Sequence, residues 1–310
     1  MGEYLQRFLV AMLWLLFVSA GSSAAFADSV VVLYKESYQP YIEAISGFKR
    51  TLVKGEFDVI YHDITSNEAL PVSAGSCSYA VALGTDAVKY ARSNVPAVPI
   101  VFSMVLNPQQ SKIIVSCDNP GDDITGVMLN IDPVKKFSLL KEMLPDFRVI
   151  GFVYDGNNYS QQVDYIQNAA SVNGFEFVSE AIDNSSQINN AITDVLKRSD
   201  CLWSRVDPLI YNRNTVREIL VMSLKSKKPM VAFSSAYVKA GALLAFECDY
   251  EDIGRQTAEL LMKMRHQGSR GGVPVEPPAK IVIAVNKRTM NMLGINIPGK
   301  FLESAVLYGE

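Results

Sequence analysis

The chain has 310 residues, of which 49% are hydrophobic and 20% are charged. These values are typical of a folded globular protein, and the length suits two lobes of about 100–150 residues better than one core. The net charge of −3 provides no basic excess for binding nucleic acid or an anionic membrane. We therefore expect neither partner.

The N-terminus has the pattern of a secretory signal peptide. Arg7 precedes an apolar run from Phe8 to Val18, and Ala25-Phe26-Ala27 provides an A-x-A cleavage site. The run is about 11 residues long, whereas a membrane span needs roughly 20. We therefore predict a cleavable signal peptide over residues 1–27 and a periplasmic mature protein. The alternative is an uncleaved anchor, since Glu3 weakens the positive end of the segment.

The first part of the mature chain alternates short β-branched runs with helical stretches. Apolar spacing predicts a helix over Pro40–Leu52, with proline in its first turn, and a second helix over Asp86–Arg92. Strands are predicted at Val30–Tyr34, Phe57–Tyr61, Tyr79–Leu83 and Pro99–Ser103. Strands that alternate with helices favour a parallel sheet built from βαβ units.

The remainder of the chain repeats this alternation. An extended segment, Ile124–Leu129, leads into a helix at Pro133–Met143. Further strands are predicted at Val149–Tyr154, Phe175–Ala181, Cys201–Val206, Met230–Phe233, Leu243–Phe246 and Ile281–Val285. Further helices are predicted at Ser160–Asn173, Gln187–Arg198, Asn212–Ser226, Ala236–Ala240, Ile253–Arg265 and Arg288–Leu293. Two such series predict two parallel sheets, whose strand ends would surround one cleft that closes by a hinge motion.

Motifs for catalysis and for metal binding are missing from the sequence. The two histidines, His62 and His266, are isolated, and no nucleophile elbow, dinucleotide fingerprint or phosphate-binding loop occurs. The four cysteines lack C-x-x-C spacing, so we expect either small core residues or one bridge, with Cys77–Cys117 as the first guess. We expect no catalytic residue, no metal and no cofactor.

Several segments resemble a family of ABC-transporter substrate-binding proteins whose best-known members bind tryptophan and related amino acids. Val81-Ala82-Leu83-Gly84-Thr85-Asp86-Ala87 is similar to the family's strand, Gly-Thr turn and helix. Asp123-Ile124-Thr125-Gly126-Val127 is similar to its N-[IV]-T-G-[VI] segment, with Asp in place of the usual Asn. Other similar segments are Pro99–Ser103 with Asn107-Pro108, Lys239–Leu243, Asp249–Gln256 and Leu293–Pro298. The likeness covers most of Val30 to Leu307 and rests on the order and spacing of the segments.

The resemblance implies a type I periplasmic-binding-protein fold. Its two Rossmann-like α/β lobes contain parallel sheets and are joined by a three-crossing hinge. The first lobe would comprise residues 28–123 and 248–277, and the second would comprise residues 124–247 and 278–310.

The resemblance also implies a function. A monomer would bind a small-molecule ligand and deliver it to an ABC permease in the inner membrane. The alternative is a receptor that delivers its ligand to a chemoreceptor or sensor kinase. An exported hydrolase is disfavoured because no catalytic motif supports it.

Candidate ligand contacts in the first lobe lie where predicted strands end. Gly84 and Thr85 stand between a strand and a helix, where free N–H groups and the helix dipole favour a carboxylate. Alternatively, Thr85 only caps its own helix. Ser103 ends the next strand. Tyr38 follows the first strand and forms either a wall of the cleft or part of the core.

The second lobe offers a comparable set of candidates. Three candidates lie between a strand and a helix: Asn158, Tyr159 and Ser160. Tyr159 and Ser160 could face the cleft. Alternatively, Ser160 only caps the helix. Ser234 ends another strand, and Phe246 is assigned to the hinge.

Arg205 and Asp207 are the charged candidates of the second lobe. The resemblance implies that Asp207 accepts a hydrogen bond from a ligand amine. Arg205 either pairs with Asp207 or holds a ligand anion, because an unpaired charge at a buried strand end is costly. Together with Thr85 on the opposite lobe, Asp207 predicts a site for a zwitterion such as an amino acid.

Overall fold

The structure is a computed structural model that describes residues 27–72, 76–268 and 270–309. These residues form two β-sheets, each covered by helices on both faces. Residues 1–26, which contain most of the predicted signal peptide, lie outside the described residues. Within the described ranges, no helix has the length and apolar character needed to span a lipid bilayer.

The first sheet is parallel and has the strand order β2-β1-β3-β4-β5. Its strands are β1 (Asp28–Tyr34), β2 (Phe57–Asp63), β3 (Tyr79–Leu83), β4 (Ile100–Val105) and β5 (Ile124–Met128). The helices between them are α1 (Gln39–Thr51) and α2 (Thr85–Asn94).

The second sheet has the order β12-β11-β10-β9-β8-β6-β7, and only its β10–β11 pair is antiparallel. Its strands are β6 (Val149–Asp155), β7 (Glu176–Ile182), β8 (Cys201–Trp203), β9 (Met230–Ala232), β10 (Leu244–Cys248), β11 (Ile281–Asn286) and β12 (Val306–Tyr308). The remaining helices are α3 (Pro133–Met143), α4 (Gly156–Val172), α5 (Ile188–Arg198), α6 (Val216–Lys225), α7 (Ser235–Ala240), α8 (Tyr250–Gln267), α9 (Lys287–Leu293) and α10 (Gly299–Leu302).

Burial on both faces explains the unbroken apolar runs in the strands. Val30 to Leu33 are all fully buried, and alternate residues enter opposite cores of the first sheet. Val30 and Val32 pack beneath α1 and α8, whereas Val31 and Leu33 pack with α2. Parallel strands covered by helices on both sides show this continuous pattern rather than a polar–apolar alternation.

The described chain passes between the sheets at three places. After β5 it enters α3, which packs in a second-sheet core through Phe137 and Leu140. After β10 it enters α8, which packs in a first-sheet core. After α8, Glu276 pairs with Val127 of β5 before the chain returns to β11.

The first of these passages differs from the predicted lobe boundary. The prediction placed Ile124 at the start of the second lobe, whereas β5 pairs with β4 through Ile100 and Ile124 in the first sheet. Ile124 and Val127 are buried against the cores of that sheet, which explains why the strand stays there. The passage therefore follows Met128.

Two glycines bring α8 close to α1. A Cβ atom at Gly254 would collide with the carbonyl oxygen of Ala44, and one at Gly47 would collide with the carbonyl oxygen of Glu251. Larger residues would push the helices apart, so these glycines hold α8 on the first lobe directly after β10 of the second sheet.

Side-chain hydrogen bonds explain two element ends that the prediction placed differently. Helix α4 begins at Gly156 rather than Ser160 because the Asp155 carboxylate accepts from the N–H of Asn157 at 2.9 Å. Strand β8 ends at Trp203 rather than Val206, and Asp207 then forms a turn by accepting from the N–H of Leu209 at 3.1 Å.

All four cysteines carry free thiols, so the first guess of a Cys77–Cys117 bridge is wrong. Cys77, Cys201 and Cys248 are buried in apolar surroundings, in agreement with the alternative of small core residues.

Candidate functional site

Two interactions link the lobes near the carboxyl ends of strands from both sheets. The amide of Gln162 on α4 donates to Gln110, in the loop after β4, at 2.8 Å. Near the hinge, burial and then the negative charge of Glu247 raise the pKa of Tyr38. We use the term interlobe cleft for the region between the loops that follow these strand ends, whose candidate residues are Tyr38 and Thr85 on the first lobe and Tyr159, Arg205 and Glu247 on the second.

Tyr38 forms an exposed wall of the first lobe. Its side chain is 47% exposed and meets the ring of Tyr41 edge-on, with 4.7 Å between the ring centroids. Burial raises the pKa of Tyr41 to about 12, so this hydroxyl is neutral at physiological pH. The core alternative for Tyr38 does not agree with this exposure.

Gly84 allows a backbone conformation at the start of α2 that other residues rarely adopt. Its φ is +84°, and a Cβ atom there would collide with the Tyr41 hydroxyl. Its N–H already donates to the carbonyl of Ser103 at 2.8 Å, so it is not available to a ligand. Thr85 follows at the first position of α2, so Gly84 rather than Thr85 is the N-cap residue of this helix.

Ser103 and Phe246 lie inside the two lobes rather than at the cleft. Ser103 is 1% exposed and accepts from the hydroxyl of Thr257 on α8 at 2.9 Å. Phe246 is also 1% exposed and packs 6.4 Å from the ring of Trp203, measured between centroids. Strands β4 and β10 each continue two residues beyond the predicted end, to Val105 and Cys248. Ser103 and Phe246 therefore lie within their strands rather than at the strand ends.

Polar residues at two second-lobe helix starts are engaged in local hydrogen bonds. Asn158 is exposed, and its amide donates to Asp155 at 2.6 Å. Ser160 does not cap α4, because its hydroxyl donates to the carbonyl of Gly156 one turn back. Ser234 caps α7 by accepting from the N–H of Ala236 at 3.3 Å.

Asp207 is buried and satisfied by the backbone. It is 1% exposed, and one oxygen accepts from the N–H of Asp155 at 3.0 Å. The other oxygen accepts from the N–H groups of Leu209 and Ile210 at 3.1 and 3.4 Å. These bonds tie the end of β6 to the turn after β8, which is a structural task for this carboxylate.

Arg205 stacks on Tyr159 instead of pairing with Asp207. The guanidinium carbon lies 4.2 Å from the centroid of the Tyr159 ring. Among the residues that the structure describes, Arg205 has neither a salt bridge nor a hydrogen bond. Burial lowers the pKa of Arg205, while the neighbouring Tyr159 and Asp207 act in the opposite direction.

Lys136 is a second cation beside Arg205. Its ammonium lies 6.0 Å from the centroid of the Trp203 ring. Burial lowers the pKa of Lys136 to about 8, Cys248 opposes the change, and the positive charge of Arg205 adds to it. No acidic side chain in the described ranges pairs with Lys136.

Glu247 is an acid at the hinge end of the cleft. It is half-buried at the end of β10 and forms no salt bridge with any described residue. Tyr38 and Tyr250 flank it, since burial and the charge of Glu247 raise the pKa of each hydroxyl. An exposed aromatic ring beside an unpaired acid is suited to a ligand with an apolar part and an amine.

The sequence interpretation missed Lys136, Trp203 and Glu247. Trp203 and Arg205 are two residues apart on the predicted strand Cys201–Val206, so the sequence pattern alone would place them on one face of that strand. Lys136 immediately precedes Phe137 on a predicted helix, and nothing in the spacing indicates that its ammonium approaches β8. Glu247 lies beyond the predicted end of its strand.

A separate groove of about 410 Å³ lies on the outer flank of the hinge. Its charged groups neutralise one another, since Arg255 pairs with Asp252 at 2.7 Å and Lys280 pairs with Asp249 at 2.6 Å. The described part of the chain contains no cluster of three or more histidine, cysteine or acidic residues that would suit a metal ion.

Comparison with known proteins identifies the class. Residues 71–307 match the family described as ABC transporter substrate binding protein. The chain belongs to this family, and its two-sheet architecture is a type I periplasmic-binding-protein fold, as predicted.

One similar protein is the tyrosine-binding protein of Clostridioides difficile strain R20291. The two are 27% identical over 214 residues, which cover 68% of this chain and 61% of the relative. The match therefore spans less than two thirds of that protein's length.

Two solved structures share the fold. The ligand-free, open structure of a Clostridium difficile substrate binding protein with adhesive properties has a TM-score of 0.76 and 22% identity. A Streptococcus pneumonia ABC domain in complex with L-Trp has a TM-score of 0.62 and 20% identity. Each match covers 91% of this chain and 99% of the other.

Proposed function

We propose that this protein binds an amino acid in the interlobe cleft and delivers it to an ABC permease in the inner membrane. The observation that carries the proposal is the presence of unpaired charges of both signs at one cleft. Glu247 lies at the hinge, and Lys136 and Arg205 lie on the second-lobe wall. A zwitterion satisfies both signs at once, and membership of the substrate-binding family supports this reading.

Aromatic amino acids are the first ligands to test. Tyr38 presents an exposed ring, and Tyr159 presents a ring that already carries Arg205 on one face. Aromatic rings provide much of the apolar contact area in small-molecule sites. A tyrosine-binding protein and a structure in complex with L-Trp occur among the similar proteins, which agrees with this choice.

Closure of the two lobes is the proposed mechanism. The lobes would move as two units. The first comprises residues 28–123 and 248–277, and the second comprises residues 124–247 and 278–310, except that β5 belongs to the first sheet. Three passages of chain form the hinge. A ligand that contacts both walls binds the closed state more tightly, and this differential affinity shifts the population.

Calorimetric titration with the twenty L-amino acids tests the proposal. We expect saturable binding of at least one aromatic amino acid, with compaction of the protein in small-angle scattering. The variant Glu247→Gln should weaken binding at least about 30-fold because the ligand amine loses its charged partner. Glu303→Gln, which changes an exposed residue, is the matched control. Absence of binding to all twenty would overturn the proposed ligand class.

The proposal extends to the setting of the protein. A periplasmic monomer without catalytic activity would suit delivery to a permease. N-terminal sequencing of protein from the periplasm is expected to begin at Asp28, and recovery of the intact N-terminus from membranes would contradict this.

A further inference from the structure

The second lobe holds two neighbouring cations, Lys136 and Arg205, that form no salt bridge with any described residue. We propose that Lys136 and Arg205 together form a subsite for a ligand carboxylate. The inference rests on the proposed function and deepens it, because it states which wall of the cleft holds the anionic group of the ligand.

Three elements bring the two cations together. Trp203 ends β8, and Arg205 follows two residues later along the chain. Helix α3 places the Lys136 ammonium 6.0 Å from the Trp203 ring centroid, and α4 places the Tyr159 ring 4.2 Å from the Arg205 guanidinium. Each cation therefore lies close to the face of an aromatic ring.

The charge arrangement is unfavourable without an anion. Half-buried cations are ordinarily paired, as Arg265 is with Asp28 at 2.6 Å and with Glu56 at 3.0 Å. In contrast, Lys136 and Arg205 repel each other and have no salt bridge within the described ranges.

Asp207 acts on Arg205 through its negative charge but forms no salt bridge with either cation. Asp207 uses both oxygens for the N–H groups of Asp155, Leu209 and Ile210. Neither cation has an ion-pair partner in the described chain, so an anion from outside can fill this place.

A carboxylate is the anion that this pair fits. The guanidinium of Arg205 offers a planar fork that matches the two oxygens of a carboxylate, and Lys136 adds a compact charge from another direction. The carboxylate can belong to the amino acid backbone or to an acidic side chain. Either source reverses the polarity predicted from Thr85 and Asp207, because the anion now lies on the second lobe.

Ligand titrations of matched variants test the subsite. Lys136→Met and Arg205→Met should each weaken binding at least about 30-fold, whereas Lys136→Arg should restore most of the affinity. The controls Lys135→Met and Arg213→Met remove exposed cations nearby and should bind as the wild type does. Wild-type affinity in both Lys136→Met and Arg205→Met would overturn the proposal.

Ligand analogues identify the source of the carboxylate. L-tyrosine is compared with tyramine, which lacks the carboxylate, and L-glutamate is compared with L-glutamine. Loss of binding by tyramine assigns the subsite to the backbone carboxylate. Binding of L-glutamate but not L-glutamine, with dependence on Lys136, assigns it to a side chain. Equal binding of tyramine and L-tyrosine, with no binding of L-glutamate, contradicts the subsite.

A titration with acetate separates failure of the subsite from failure of the proposed function. Trp203 is the single tryptophan of the chain from Asp28 onwards, so its fluorescence in the mature protein reports on the neighbouring ammonium. If no amino acid binds, the proposed function fails and this titration alone decides the subsite. We expect a saturable change with acetate that chloride at equal ionic strength does not produce and that Lys136→Met abolishes. Identical responses to acetate and chloride would refute the subsite.

Discussion

Lys136 provides the sharpest prediction, because its charge should destabilise the protein in the absence of ligand. Burial lowers the pKa of Lys136 from 10.5 to about 8, so the unfolded chain binds this proton more tightly than the folded chain does. A fall of about 2.5 in pKa corresponds to about 3 kcal/mol at neutral pH. The titratable groups that act on the ammonium are Arg205, whose positive charge adds to the effect, and the thiol of Cys248, which acts in the opposite direction.

Lys136→Met should therefore raise the free energy of unfolding at pH 7 by about 2–3 kcal/mol, since methionine keeps the apolar stem and removes the charge. The sign follows from linkage: the stability of the wild type rises with pH between about 8 and 10.5, because in this window the folded chain has released the proton that the unfolded chain still binds. The advantage of the variant should shrink to under about 1 kcal/mol at pH 10.

Urea unfolding followed by circular dichroism at pH 7 and pH 10 measures both values, with Lys135→Met as the exposed control. A variant no more stable than the wild type at pH 7 would show that the ammonium is not desolvated. A gain of equal size at both pH values would point to packing rather than charge.

Other predictions concern Asp207, Gly84 and Cys201. Asp207→Asn should lower the free energy of unfolding by about 1–3 kcal/mol in urea titrations, because one amide oxygen cannot replace both carboxylate oxygens. Asp164→Asn is the exposed control. Unchanged stability together with lost ligand affinity would instead indicate that Asp207 contacts the ligand directly. Gly84→Ala should cost at least about 1 kcal/mol in the same assay, owing to the positive φ and the collision with Tyr41, and full stability would contradict the strained turn. Cys201 is buried with a raised thiol pKa, so alkylation by iodoacetamide at pH 8 should be far slower in the native protein than in urea, and equal rates would refute this burial.

The architecture was predictable because its pattern is local. Runs such as Val30 to Leu33 show by themselves that a strand is buried on both faces, and the alternation with helices indicates parallel sheets. Short elements escaped prediction. Strand β12 has three residues and helix α10 has four, which is too few for a periodic pattern. The assignment of β5 to the first sheet depended on which core its apolar residues cover, and that is a tertiary property.

The positions of the candidate site residues follow from local sequence, whereas their hydrogen-bond partners follow from the tertiary structure. The sequence by itself determined that Tyr38, Thr85, Tyr159 and Arg205 lie at strand ends, because the order of strands and helices places them there. Only the tertiary structure decided which polar groups remain unpaired. Asp207 looks like a free acceptor in the sequence, yet backbone N–H groups from β6 and the turn after β8 engage both of its oxygens. Hydrogen-bond partners and desolvation depend on segments that are distant along the chain, and spacing along one segment contains no information about them.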